Sequence, residues 1–129
     1  MQAAHCALVV ALKYLPDDPN LVIARTHLEA AIALSGQYHK AKYSIFWLTS
    51  KANIKRRVTQ QLNELAFDTY SHMIELANTL EQYAIAKSSL NAPPPKNWQA
   101  LIHNLDCAFE WINREHLQEI QAKQLILIS

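Results

Sequence analysis

The stretch VTQQLNELAFDTYSHMIELANTLEQY, residues 58–83, decides the fold. Within it Val58, Leu62, Leu65, Thr69, Met73, Leu76, Leu80 and Tyr83 advance by threes and fours. That spacing returns to one side of an α-helix but alternates between the faces of a strand, so it predicts a long amphipathic helix. Ala66, Tyr70, Ala77 and Ala84 widen the apolar face, which calls for more than one neighbour. With its flanks, the pattern predicts a helix over 54–88, about 50 Å long.

Downstream, NAPPPKN (91–97) ends this helix, because three prolines cannot continue one and favour an extended strut. A last helix is expected from about Trp98, with Trp98, Leu101, Ile102, Leu105, Phe109, Ile112 and Ile120 on one face. The terminal QLILIS is apolar without a clear period, fit either to dock on the bundle or to meet a partner. Upstream, Tyr38, Ala41, Ile45 and Leu48 predict a helix over about 38–51. Gly36 reads as the stop of a preceding helix over 21–35, since glycine suits the left-handed residue after a helix. LPDDPN (15–20) separates that helix from a first one over 3–15, supplying prolines to break and Asp and Asn to cap.

Composition agrees. There is one glycine in 129 residues, against a usual ~7%. Sheets and phosphate-binding loops need glycine at turns, whereas helices lose stability from it. Half the residues are hydrophobic and 18% are charged, which disfavours disorder. The expectation is an all-α, antiparallel bundle of four to five helices over 1–129, a single domain whose two long C-terminal helices form a hairpin.

Cys6 and Cys107 have no CxxC spacing and read as free thiols, a single disulfide being the alternative. No run approaches ~18 apolar residues, and MQAAHCALVVALKYL lacks the basic start of a signal peptide. A cytoplasmic protein with no membrane segment is expected.

Catalytic patterns are missing from the sequence. Di-iron bundles need Glu-x-x-His on two helices, and His72 with Glu75 or His103 with Asp106 does not supply the pair. There is no HExxH, no glycine-rich loop and no nucleophile elbow. Cys6 follows His5 directly, but adjacent helical residues point about 100° apart. Asp68 and His72 could pair at i,i+4. His116 projects onto the face of Ile112 and Ile120 and is expected as a hydrogen-bonded core histidine, with a ligand or pH-switch role as the alternative. No metal, no cofactor and no enzymatic activity are expected.

PNLVIARTHLEAAIALSGQYHKA (19–41) resembles one tetratricopeptide helical hairpin, with Pro19, Gly36, Tyr38 and Ala41 at that family's spacings. Glu29 stands where the family has a small residue, and no second repeat follows. SGQYHKAKYSIFWL (35–48) also resembles a segment of the small helical-bundle nuclease family called HEPN. That family places an Arg a few residues before a His, and Arg25–His27 and Arg114–His116 are too closely spaced to match. Neither resemblance implies a functional residue here.

Charge is the strongest functional signal. Between Ala30 and Asn63 there is no Asp or Glu, yet Lys40, Lys42, Lys51, Lys55, Arg56 and Arg57 fall there. From Glu64 to Glu119 eight acids face only Lys87, Lys96 and Arg114. Tyr43 and Trp47 project away from the Tyr38–Ile45 face, among those bases. The leading expectation is a non-enzymatic helical interaction or adaptor protein that forms a homodimer and binds another protein. The alternative is a small nucleic-acid-binding regulator using Lys40, Tyr43, Trp47, Lys51, Lys55, Arg56 and Arg57, because interleaved bases and aromatics suit single strands. A ligand-binding or enzymatic bundle centred on His116 is a third.

Overall fold

The computed structural model describes residues 2–45 and 52–128, with side-chain surroundings over 3–42, 56–57 and 59–114. Four α-helices follow one another: α1 (Gln2–Tyr14), α2 (Val22–Ile45), α3 (Ala52–Ser89) and α4 (Trp98–Ile128). A 3₁₀ turn, Pro19–Leu21, leads into α2. Among the described residues there is no strand. The last residues of the chain's apolar tail continue α4 as far as Ile128.

The breaks form where the sequence places them. Asp18 is extended and accepts a hydrogen bond from the Asn20 N–H at 2.9 Å, satisfying a donor that the turn leaves open. At the end of α3, Asn91 takes a left-handed φ of 52°. The Ala92 N–H then donates to the Lys87 carbonyl and the Asn91 N–H to that of Ser88, both at 3.0 Å. This is a Schellman closure, with asparagine in the position glycine usually fills. The prolines follow at once, so the helix cannot resume.

Gly36 is a correction to the sequence reading. It stops nothing: α2 runs through it from Val22 to Ile45, and no glycine has a positive φ. The helix expected over 38–51 is therefore the second half of α2 as far as Ile45, and the tetratricopeptide-like hairpin over 19–41 does not form. Glycine permits a left-handed residue but does not impose one. The residues after Gly36, QYHKAK, supply no proline, asparagine or aspartate to turn the chain. An interior glycine costs about 1 kcal/mol relative to alanine, and burial of Ala31, Ser35 and Tyr38 on either side outweighs it.

Contacts fix the register. His5 meets Ser35, Asp18 meets Tyr83 and His27 meets His72. Tyr70 meets Phe109 and Tyr83 meets Trp98. Along α2–α3 and along α3–α4 one number rises as the other falls, so these neighbours are antiparallel, and His5 near the start of α1 meeting Ser35 well along α2 fits the same order. Neighbours pack as α1–α2, α2–α3, α3–α4 and α4–α1, closing an up-down-up-down ring. The two C-terminal helices do form a hairpin, but the most extensive pairing is α2 with α3.

Each helix turns a three–four spaced stripe inward: Ala4, Leu8, Ala11 and Leu15; Ala24, Leu28 and Ala31; Leu101, Leu105, Ala108 and Ile112. On α3 the whole seam from Leu62 to Tyr83 is buried, Thr69 included. Thr69 is accommodated because its hydroxyl donates to the Leu65 carbonyl at 2.7 Å. The expected core positions Ile45, Val58, His116 and Ile120 have side chains outside the described residues, as does Leu48 entirely.

A Cβ built on Gly36 would sit 3.7 Å from His5 Cε1, an ordinary contact. Gly36→Ala should therefore stabilise the protein by about 0.5–1 kcal/mol. Calorimetry should show a melting temperature raised by a few degrees; a lowered one would show that α1 and α2 approach too closely here for a methyl group.

Candidate functional site

Of the seven residues marked by charge and aromatic pattern, Lys40, Arg56 and Arg57 are described and all three are exposed. Trp47 and Lys51 lie outside the described residues, as do the side chains of Tyr43 and Lys55. Extending the register of Asp18–Tyr83 and His27–His72 sets Lys40 level with about residue 60. Lys40 thus shares one end of the bundle with Arg56 and Arg57, roughly one helical turn away along the axis.

The more developed feature is one that charge patterning does not mark. Helices α3 and α4 are held by two aromatic contacts: Tyr70 edge-on to Phe109 at 5.6 Å, and Tyr83 against Trp98 at 5.8 Å. On the α3 side two small residues, Ala77 between these contacts and Ala84 beside the second, leave a cleft of about 180 Å³ between the helices. Its floor is Leu80 and Leu105, its α4 wall is Trp98, Ile102 and Phe109, and Glu81 and Asp106 stand on opposite edges. A second cleft of about 180 Å³ opens beyond Trp98, between Tyr83, Lys87 and Pro94–Pro95. Trp98 is the wall common to both. Drug-sized ligands occupy pockets of about 300–1,000 Å³, so each of these clefts suits one or two side chains of a docked segment better.

The second cleft is braced by an interaction between distant parts of the chain. Tyr83 donates its hydroxyl to Asp18 Oδ2 at 3.2 Å, and Lys87 Nζ stands 3.7 Å from the same oxygen. Lys87 also lies 5.4 Å from the centre of the Tyr83 ring. The Asp18 carboxyl is held below its ordinary pKa, first by the Asn20 N–H and then by Tyr83 and Lys87, against partial desolvation. The Tyr83 phenol is pushed up, first by removal from water and then by the Asp18 charge. An ion pair this open to solvent adds little stability by itself. Its effect is to tie the α1–α2 connection to the end of α3.

The histidines are bound up in packing. His72 does not pair with Asp68 as the i,i+4 spacing suggested; its Nδ1 lies 2.8 Å from His27 Nδ1, across the α2–α3 interface. One ring must carry the proton and the other accept it. His5 Nδ1 lies 2.6 Å from Ser35 Oγ, whose own proton goes to the Ile32 carbonyl at 2.8 Å. His5 is therefore the donor, and Ser35, fully buried, presents no nucleophile. Cys107 Sγ and His103 Nε2 are 3.7 Å apart on the surface of α4. Among the described residues no three His, Cys, Asp or Glu side chains converge on a point where a metal could bind. None of the helices, so far as described, is long and apolar enough to cross a membrane.

No family model matches the chain, and comparison with the curated proteins and the solved structures gives no significant match.

Replacing Asp18 by asparagine keeps an oxygen for the Asn20 N–H and removes the charge. The Tyr83 phenol should then titrate at lower pH, read as an earlier rise in tyrosinate absorbance. Because the carboxyl pKa is depressed in the folded state, its stabilisation is present at neutral pH and lost as pH falls below the ordinary carboxylate value of about 3.9. Asp18→Asn should be less stable at neutral pH, with a flatter acid limb in denaturant melts. An unchanged acid limb would show that the carboxylate has no such stabilising role.

Proposed function

We propose that this chain is a non-enzymatic interaction protein that binds another protein along its α3–α4 face. The observation that supports this reading is the cleft between the two aromatic contacts. It combines an apolar floor, half-buried Trp98, Ile102 and Phe109, and carboxylates on both edges. Such a groove takes the apolar face of an amphipathic helix, with basic residues beside Glu81 and Asp106. Nearby, Ile85 on α3 and Leu90 just after its end are both more than half exposed, enlarging the apolar surface at this end. A cytoplasmic setting belongs to the same reading, because Cys6 and Cys107 stand on different helices as free thiols.

Ala84 lines both clefts, and Ala84→Arg would place a long cation there without touching the buried seam. Affinity capture from the source cell with wild type and with Ala84→Arg should recover a protein that the variant loses. Circular dichroism should show the same helix content for both. Equal recovery by wild type and variant would overturn the reading.

The exposed cations Lys40, Arg56 and Arg57 at one end, within a stretch free of acids, favour nucleic acid as a second reading. Three phosphate contacts on a single strand predict a slope of roughly −2 in log affinity against log salt. Substituting all three by alanine should remove most of that slope in a fluorescence-anisotropy titration with a single-stranded oligonucleotide. Affinity indifferent to salt, or to the triple substitution, sinks this second reading.

A further inference from the structure

Helix α3 carries a second heptad stripe beside its buried seam. Arg56, Phe67, Tyr70, Ile74, Ala77 and Glu81 fall on it, with polar Gln60 and Asn63 filling the two positions between Arg56 and Phe67. The steps are alternating fours and threes throughout, the spacing of a two-stranded coiled coil. Phe67, Tyr70 and Ile74, at its centre, are half-buried, and Arg56, Ala77 and Glu81, toward its ends, are exposed. The acids Glu64, Asp68 and Glu75 lie about 90° or more away around the helix and do not enter the stripe.

The charge order on this stripe is self-complementary in one arrangement. Arg56 and Glu81 are equally far from a point between Asp68 and Thr69. A two-fold axis there puts Arg56 opposite Glu81, Phe67 opposite Tyr70 and Ile74 opposite Asn63. A parallel copy would instead set Arg56 against Arg56 and Glu81 against Glu81. Among the described residues neither Arg56 nor Glu81 has an ion-pair or hydrogen-bond partner. Exposed Ala77 leaves room for a second helix to approach closely.

We propose that this stripe is a self-association surface, and that its occupant is a second copy of the chain lying antiparallel along α3. Each copy's Arg56 then meets the partner subunit's Glu81, twice per dimer. The closed two-fold arrangement uses up the surface, so the assembly stops at two. This rests on the reading of the chain as a protein-binding module and names one partner for it.

The test is a charge exchange on the full chain, followed by sedimentation equilibrium. Wild type should be a dimer, and Arg56→Glu or Glu81→Arg alone should each weaken dimerisation by at least about tenfold, since each sets like charges together twice. The double variant, with both charges exchanged, should return to within a few-fold of wild type. A monomeric wild type, or a double variant weaker than either single one, overturns the proposal. Arg56 lies about 38 Å along α3 from Glu81 and so outside the α3–α4 cleft, whereas Ala77 and Glu81 also line that cleft, so Arg56→Glu is the single variant that separates the two surfaces. A monomeric protein that still captures a partner lost on Ala84→Arg would reject self-association and leave the interaction reading standing.

Discussion

Everything in this bundle leans on the buried seam of α3. Leu62, Leu65, Met73, Leu76 and Leu80 lie at no more than 9% exposure, and they sit between two neighbours, α2 on one side and α4 on the other. Among the described residues α1 does not reach α3; it closes the ring by packing on α2 and α4. A 38-residue helix with no large charged side chain on its inner face has no stable alternative to being covered. Covering it from both sides is what sets the antiparallel order of the rest.

The two sides of α3 are not equivalent, and side-chain size explains the difference. Toward α2, His27 meets His72 at 2.8 Å, and the inward stripe of α2 sets small Ala24 and Ala31 around Leu28. Toward α4, the contacts are Tyr70–Phe109 and Tyr83–Trp98, ring against ring at 5.6 and 5.8 Å. Rings at those separations hold the helices apart, while Ala77 between them and Ala84 beside Tyr83 are too short to fill the gap. The cleft follows from small residues set beside large ones. Filling it from within the chain would need larger side chains at 77 or 84; leaving it open keeps a surface that another segment can cover.

The elements whose signals reinforce one another were legible from the sequence. The α3 seam rests on sustained spacing, the LPDDPN cap and the NAPPPKN break on proline and capping chemistry, and the two breaks and the seam from Leu62 to Tyr83 stand in the structure as read. Gly36 misleads because one residue's tolerance for a left-handed turn is not itself a turn, and nothing after it makes one. The acid-free run was legible, and Lys40, Arg56 and Arg57 are exposed as a binding face requires. The cleft was not legible, because it depends on how far α4 stands from α3. Nor was the Asp18–Tyr83–Lys87 tie, which joins residues 65 and more apart in sequence. One sign of the cleft was present: Trp98, Ile102 and Phe109 share a face with Leu101 and Leu105 but make it too wide for one neighbour to bury.

Antiparallel connectivity converts a charge pattern along the chain into one along the bundle. Helix α2 ends and α3 begins within the acid-free stretch, so Lys40 and the two arginines gather at one end, while Glu81 and Asp106 stand toward the other. Among the described helices α3 and α4 are the longest, and α3 carries paired arginines near its start and a carboxylate-edged cleft near its end. Arg56 consequently belongs to two proposed surfaces, the basic end that suits phosphate and the stripe that suits a second copy. One guanidinium cannot serve both at full strength. A dimer held through Arg56 would take one cation per chain away from the basic end, so self-association and nucleic-acid binding would oppose each other through this residue. Both would weaken with salt, but only the dimer could be restored by exchanging the charges.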